Sequence, residues 1–435
     1  MNMNINKFKL SNWYYAIVLI GYIVTLFIPA FRTGLFAAVL MVLIFIGLGL
    51  SIIKSDNKSD FISIINISVI LYFVYNLFSF IWILVNHYPI SIFVEEFSNS
   101  VLPMVFYGVA VICHAEKEKF YAMFLYAICA FGLLSTILHI VQPRFYYEYL
   151  YNFSWISKAD AATGRVRMES FTGSTCLSFL GVAAMIVAAY FVFKYVSAIT
   201  DEVSENIKLK DIVKGNKKDC INVVFYFILF IFSLVIVFLA NGRAGMVAAI
   251  LVIVAINWLV FFTFHLLNKK YFYIEIGAIF ALLALMIIAT PGIAHKFGAR
   301  LVSLPGAFGQ RSEQWISAIN NMFGQWFGNG LGANGHKALG IEGAKVVADG
   351  GLVKLYCEEG ALGFSIFVYI LVRLFISGIK NLKEYFAELL IIAMALLMSI
   401  GSNIIAFQLC MPIFWYAAGV ISMSVKDRNA LEENS

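Results

Sequence analysis

Between Pro291 and Asp349 the chain gathers Arg300, Arg311, Trp315, His336 and Asp349 in its longest polar stretch, and Arg165, Arg167 and Arg243 stand beside apolar runs earlier on. Arginine offers a planar fork of donors that grips phosphate or carboxylate at two points, whereas lysine is a hydrated point charge. A carboxylate such as Asp349 can orient a hydroxyl or take its proton. Combined, these groups could neutralise charge developing on an anionic leaving group while activating a hydroxyl nucleophile. Arg311, Arg243 and Asp349 are the catalytic candidates, and Arg300, Arg165, Arg167, Trp315, His336 and Glu359 the candidate substrate-binding residues. For each arginine a second reading stays open, in which it snorkels to lipid headgroups as an interfacial anchor.

Arg243 lies in the short turn NGRAG with apolar residues on both sides. A charge at such depth costs at least ~2.5 kcal/mol on insertion scales, which favours a compensating anion or carboxylate. Glu358 and Glu359 pose the same problem with opposite sign. Either Arg243 or Lys354 pairs with one of them, or they take part in the chemistry directly.

The elements that must position these groups follow from composition. With 62% hydrophobic and 13% charged residues and 41 phenylalanines in 435 residues, the chain is a single all-α polytopic membrane domain over 1–435, not a soluble protein. The apolar runs are continuous, unlike the alternation of an outer-membrane barrel. They predict about twelve spans, roughly 13–31, 34–53, 62–85, 98–114, 120–141, 173–196, 221–240, 244–266, 271–290, 350–377, 385–403 and 408–425. An even number puts both termini on one side. Lysines such as Lys54, Lys117, Lys194, Lys269 and Lys383 then fall on the cytoplasmic side, as the positive-inside rule requires. Of the nine arginines only Arg373 and Arg428 join them.

This topology leaves two large outer loops, 142–172 and 291–349, and one cytoplasmic loop, 197–220. In the first, Phe145, Tyr146, Tyr147, Tyr149, Tyr151 and Trp155 could stack on sugar rings or form an interfacial belt. In the second, QRSEQWISAINNMF predicts a short interfacial or re-entrant helix, with Arg311 at its N-terminal end and Trp315 and Met322 on one face toward the membrane surface. The glycines of GNGLGANGHKALG permit close backbone approaches.

The first run follows two lysines without a small-residue cleavage site and reads as an uncleaved anchor. The six cysteines have no paired spacing and read as small core residues, with no metal site among them. No HExxH, P-loop or dinucleotide fingerprint occurs, so neither a metal nor any other cofactor is expected, and no nucleic-acid partner.

In order, NGRAG at Arg243, RSEQW at Arg311, GNGLG at Gly330 and Gly332, and Asp349 followed by EEGALG at Gly360 and Gly363 resemble the O-antigen polymerase and ligase superfamily. GRVRMESFTGS also looks like its counterpart there. The resemblance implies a GT-C-like membrane fold and an enzyme of the bacterial inner membrane whose site faces the periplasm. It would act on glycans linked to undecaprenyl diphosphate as donor and acceptor, among membrane lipids, with a chain-length regulator as a further possible partner. Ligases of the superfamily carry a histidine where this chain has Asp349, and that departure favours the O-antigen polymerase (Wzy) family. The alternatives are a ligase acting on lipid A core and, more distantly, a flippase or other transporter.

Overall fold

The computed structural model describes residues 18–28, 63–112, 117–146, 148, 167–201, 217–264, 273, 277, 304–322, 325–342, 344–347 and 349–432. Among these residues every regular element is helical. In chain order they are α1 (Val18–Phe27), α2 (Ile64–Val85), α3 (Ile90–Glu96), α4 (Val105–Ile112), α5 (Lys117–Val141), α6 (Ser174–Asp201) and α7 (Lys217–Ala240). There follow α8 (Arg243–Trp258, extended by a π turn to Thr263), α9 (Leu304–Met322), α10 (Gly351–Lys380), α11 (Leu382–Gly401) and α12 (Met411–Glu432).

Seven described helices are long and apolar enough to cross a bilayer: α2, α5, α6, α7, α8 with its π turn, α10 and α11. The protein is a helical membrane protein, though seven such helices stand where about twelve are expected from the sequence. Two of the shortfalls are shorter apolar helices, α1 and the Met411–Met423 part of α12. The predicted span 98–114 divides into a π turn (Phe97–Val101), a 3-10 turn (Leu102–Met104) and the short α4. Pro103 in the 3-10 turn has no N–H to donate to a regular ladder, which explains the division. The predicted span 34–53, and nearly all of 271–290, lie outside the described residues, as do most of loop 142–172, positions 202–216 and positions 291–303.

α6 is the hub, with 89% of its most apolar window buried, and it packs against α5, α7, α8 and α11. α7 lies at the periphery, with only 28% of its window buried and Phe227, Ile228, Ile231, Val235 and Phe238 exposed. Such a continuous apolar surface suits lipid, not water. α10, α11 and α12 pack together, and α2 rests on α10.

Charge is also drawn inside. Lys117, assigned by the sequence to a cytoplasmic loop, stands 2.7 Å from the buried Glu388 Oε1 and 4.9 Å above the Tyr190 ring. Tyr121 donates its hydroxyl to the same carboxylate at 2.8 Å, so α5 and α11 are joined by one polar knot.

Candidate active site and its supporting loop

α9 begins at Leu304, six residues before the predicted start, with Pro305 in its first turn where the missing N–H has no partner to lose. Arg311 therefore sits two turns into the helix, not at its N-terminal end. At spacings of four, three and four, Arg311, Trp315, Ala318 and Met322 share a face. That face turns onto the protein instead of a membrane surface: Ala318 and Met322 are buried against Val347 and Cys357, with Trp315, Val353 and Tyr356 packed around them. The first turns of α10 supply a complementary apolar surface, and burial there satisfies the stripe.

This docking fixes the ion pair. Arg311 Nη2 donates to Asp349 Oδ2 at 2.6 Å, and Trp315 Nε1 donates to the Asp349 carbonyl at 2.5 Å. Gly350 follows at φ +124°, a conformation that side-chain-bearing residues rarely adopt, and a Cβ there would lie 2.8 Å from Trp315 Cε2. Asp349 is thus held from both sides by one helix, immediately before α10 starts.

The start of α10 is docked in turn, since Gly351 N–H donates to the Ser402 carbonyl just past α11. At the end of α11, a Cβ on Gly401 would lie 3.7 Å from Arg311 Nη1 and 3.9 Å from Ala244 Cβ. Arg311 therefore reaches the turn that carries Arg243. Gly242, ahead of Arg243, would place a Cβ 3.2 Å from Ser178 Oγ in the second turn of α6. The approach to α6 is tied down as well: Met168 N–H donates to the Leu239 carbonyl, and Glu169 Oε2 accepts from Ser174 N–H. Arg167, Arg243, Arg311 and Asp349 are accordingly brought to one end of the bundle.

Arg165 and Arg300 lie outside the described residues. His336 is exposed on the 3-10 turn His336–Ala338, where the neighbouring Lys337 pairs with Glu95 Oε1 at 2.8 Å. Glu359, expected to touch substrate, is 1% exposed inside the bundle, where its Oε1 accepts from the Tyr72 hydroxyl at 2.6 Å. Lys354, 3% exposed, neutralises Glu96 at 2.5 Å and reaches Glu358 at 3.7 Å. Of the pairings open at Lys354, the one with Glu358 is made. Glu96 was missed, although Glu95 and Glu96 are the charged residues of the sequence from 88 to 113.

α10 is broken at Gly360, whose φ of +69° and ψ of −172° are not helical. The segment 325–330 fills the break. In a continuous helix Ala361 and Leu362 would donate to the carbonyls of Cys357 and Glu358. Instead Ala361 donates to Gln325 O and Leu362 to Trp326 O, while Asn329 and Gly330 donate to Cys357 O and Glu358 O. The bonds lost at Ala361, Leu362, Cys357 and Glu358 are replaced from one loop, and the Glu359 carbonyl accepts from the Tyr75 hydroxyl on α2. Orphaned backbone groups would be costly in an apolar interior, so this exchange is what makes the break tolerable. Asn334 N–H then donates to Glu358 Oε1 at 3.2 Å, fixing the loop to the buried charges.

The two ion pairs differ in what they can do. Arg311 and Asp349 have side chains 35% and 40% exposed, and exposed pairs contribute only about 0.2–1 kcal/mol, so an incoming anion can compete for the guanidinium. The Lys354 cluster is buried, and removing one partner of such a cluster costs about 3–5 kcal/mol. Exchangeable charge lies at Arg311 and Asp349, and structural charge at Lys354. No protein-family model and no curated protein matches the chain.

Proposed function

We propose that this chain is a metal-independent glycosyltransferase of the O-antigen polymerase type, elongating lipid-diphosphate-linked glycan at the outer face of the bacterial inner membrane. The carrying observation is the half-exposed Arg311–Asp349 pair at the end of the bundle that Arg243 and Arg167 share. The twelve-span topology, with both termini cytoplasmic and this end periplasmic, belongs to the same proposal.

The pair prepares both halves of the reaction. A diphosphate arriving at Arg311 competes with Asp349 for the guanidinium and leaves the carboxylate free to accept. The acceptor hydroxyl then attacks the anomeric carbon of the growing chain and gives its proton to Asp349. As the new carbon–oxygen bond forms, the bond from the anomeric carbon to the diphosphate oxygen breaks, and the electron pair stays on that oxygen. Arg311 and Arg243 stabilise the charge by hydrogen bonds that strengthen as it develops.

The break in α10 favours a second reading, because discontinuous helices beside buried charges form the ion sites of many transporters. Against it, the freed backbone groups are bonded within the protein, four to its own loop and the Glu359 carbonyl to the Tyr75 hydroxyl, which removes the carbonyls that would ligate an ion.

Deleting the gene and resolving the cell-surface glycan on a gel separates these readings. Loss of a polymerase leaves core bearing a single repeat unit. Bare core with lipid-linked polymer accumulating would mean a ligase, and bare core with unpolymerised lipid-linked repeats a flippase; either would overturn the proposal.

A further inference from the structure

Farther along α9 from Arg311, at the C-terminal end of the helix, a cleft of about 150 Å³ opens between Asn321, Gln325, Asn329, Asn334, Tyr88 and Lys345. The chemistry of its wall is unusual for a protein so apolar. The amides of Asn321, Gln325 and Asn329 each use the NH2 group on the protein, donating to Ser317 O, to Asn321 O at 3.2 Å and to Asn334 Oδ1 at 3.1 Å. Their carbonyl oxygens are left as acceptors. Asn334 is locked as the floor, with its Nδ2 donating to the Lys345 carbonyl at 2.7 Å. Tyr88 and Lys345, whose side chains carry a hydroxyl and an ammonium donor, also line it, and the buried Ala318 and Met322 add an apolar patch.

Three amides, each with a carbonyl acceptor and a second N–H, together with the donors of Tyr88 and Lys345 and an apolar patch, fit the hydroxyls and the C–H face of a sugar ring. Among the described residues of the wall there is one lysine and no arginine, a poor phosphate clamp, and no carboxylate as the partner that a cationic ligand would seek. The volume is below the ~300–1,000 Å³ of pockets that hold drug-sized ligands, so the occupant is a single ring. Asn321 is ten residues beyond Arg311 on α9, about 15 Å by the helical rise. A ring in the cleft is therefore not at the reacting bond.

We infer that this cleft is a saccharide subsite that takes one neutral sugar of the substrate, a few rings away from the linkage being made at Arg311 and Asp349. The inference rests on the glycan-transferase reading for the source of that sugar, but the cleft's preference for a neutral ring stands on its own lining. It would make the protein selective for a sugar within the repeat unit as well as for the linkage.

The test uses the full chain in lipid nanodiscs, comparing wild type with an Asn321→Ala/Gln325→Ala double variant and with Tyr88→Phe. Asn321 and Gln325 are exposed, so the double variant keeps the packed face of α9. Binding is read on a printed panel of neutral and uronic-acid-containing bacterial oligosaccharides, and transfer with lipid-linked repeats from the producing cell. The subsite predicts that wild type retains neutral oligosaccharides. The double variant should bind them roughly ten-fold more weakly and show a raised KM, while Tyr88→Phe gives a smaller shift in the same direction. Unchanged binding and KM in an elongating double variant overturn the subsite and leave the polymerase reading standing. Binding that the double variant loses, in a wild type that transfers no glycan, supports the subsite and overturns the polymerase reading. Preference for uronic acids, or no saccharide bound at all, overturns the subsite.

Discussion

Gly328 and Gly360 are each pressed against the backbone of the other's segment: a Cβ on Gly360 would lie 2.5 Å from Gly328 N, and one on Gly328 would lie 2.5 Å from Glu359 N. Two motifs separated by about thirty residues in the sequence are therefore one structural unit. Gly360→Ala meets backbone, which cannot rotate away, at a φ of +69°. Strain of this kind costs about 1–3 kcal/mol before the overlap is counted. Gly360→Ala and Gly328→Ala are each expected to lower the melting temperature and the monodisperse yield in detergent. A wild-type melting curve for either would refute the plug.

At the ion pair, stability and activity should part company. Arg311→Lys keeps the charge and loses the fork, so the melting curve should move by no more than about 1 kcal/mol. Polymer formation on lipid-linked repeats should fall at least roughly ten-fold. Equal activity of the lysine variant would remove bidentate anion binding from the mechanism.

Asp349→Asn retains an acceptor for Arg311 and loses the base. General base assistance contributes about 100–10,000-fold, and turnover should fall within that range while binding of lipid-linked repeats persists. Normal elongation by this variant would reduce Asp349 to a positioning residue.

The buried cluster should behave in the opposite way. Lys354→Met leaves Glu96 and Glu358 without their cation and should destabilise by about 3–5 kcal/mol. A Lys354→Met/Glu96→Leu/Glu358→Gln triple variant, which removes the stranded charges, should recover much of that loss in chemical unfolding. If the single variant melts like wild type, the cluster is not structural.

Lys117 offers a check on topology. Because its ammonium faces Glu388 and the Tyr190 ring, Lys117→Gln should destabilise the α5–α11 contact without inverting the protein. Reporter fusions at Lys383 and at the C-terminus should report unchanged sides, and inversion would mean that Lys117 acts as a topology determinant after all.

The long spans were legible in the sequence because hydropathy is local and additive along a helix, and α5, α6, α7 and α10 begin or end within a few residues of their apolar runs. α9 was legible because Arg311, Trp315 and Met322 recur at helical spacing. The direction of its apolar face was not, since periodicity reveals a stripe and says nothing of whether lipid or protein covers it. Arg311 and Asp349 could be nominated by chemistry, but their pairing across 38 residues depends on how α9 docks on α10. Glu359 was ambiguous for a related reason: a charge in an apolar helix can mean a ligand or an internal partner, and the structure shows an internal partner in Tyr72. The glycines of GNGLG and EEGALG announced close approach without naming what approached: Gly328 and Gly360 proved to meet across the two motifs, whereas Gly330 faces Ile83, Gly332 faces Ile92 and Gly363 faces Tyr75.

The loop that mends α10 also has a bearing on biogenesis. Residues 325–330 leave the ribosome before residues 357–362, so the donors and acceptors that Gly360 requires are already made when the broken helix emerges. Chains form structure from the N-terminal side during synthesis. The patch can therefore be waiting at the membrane, and the second half of α10 can zip onto it as it arrives without passing unsatisfied through lipid. A circular permutant that moved 325–330 behind α10 would reverse that order while leaving the final contacts the same.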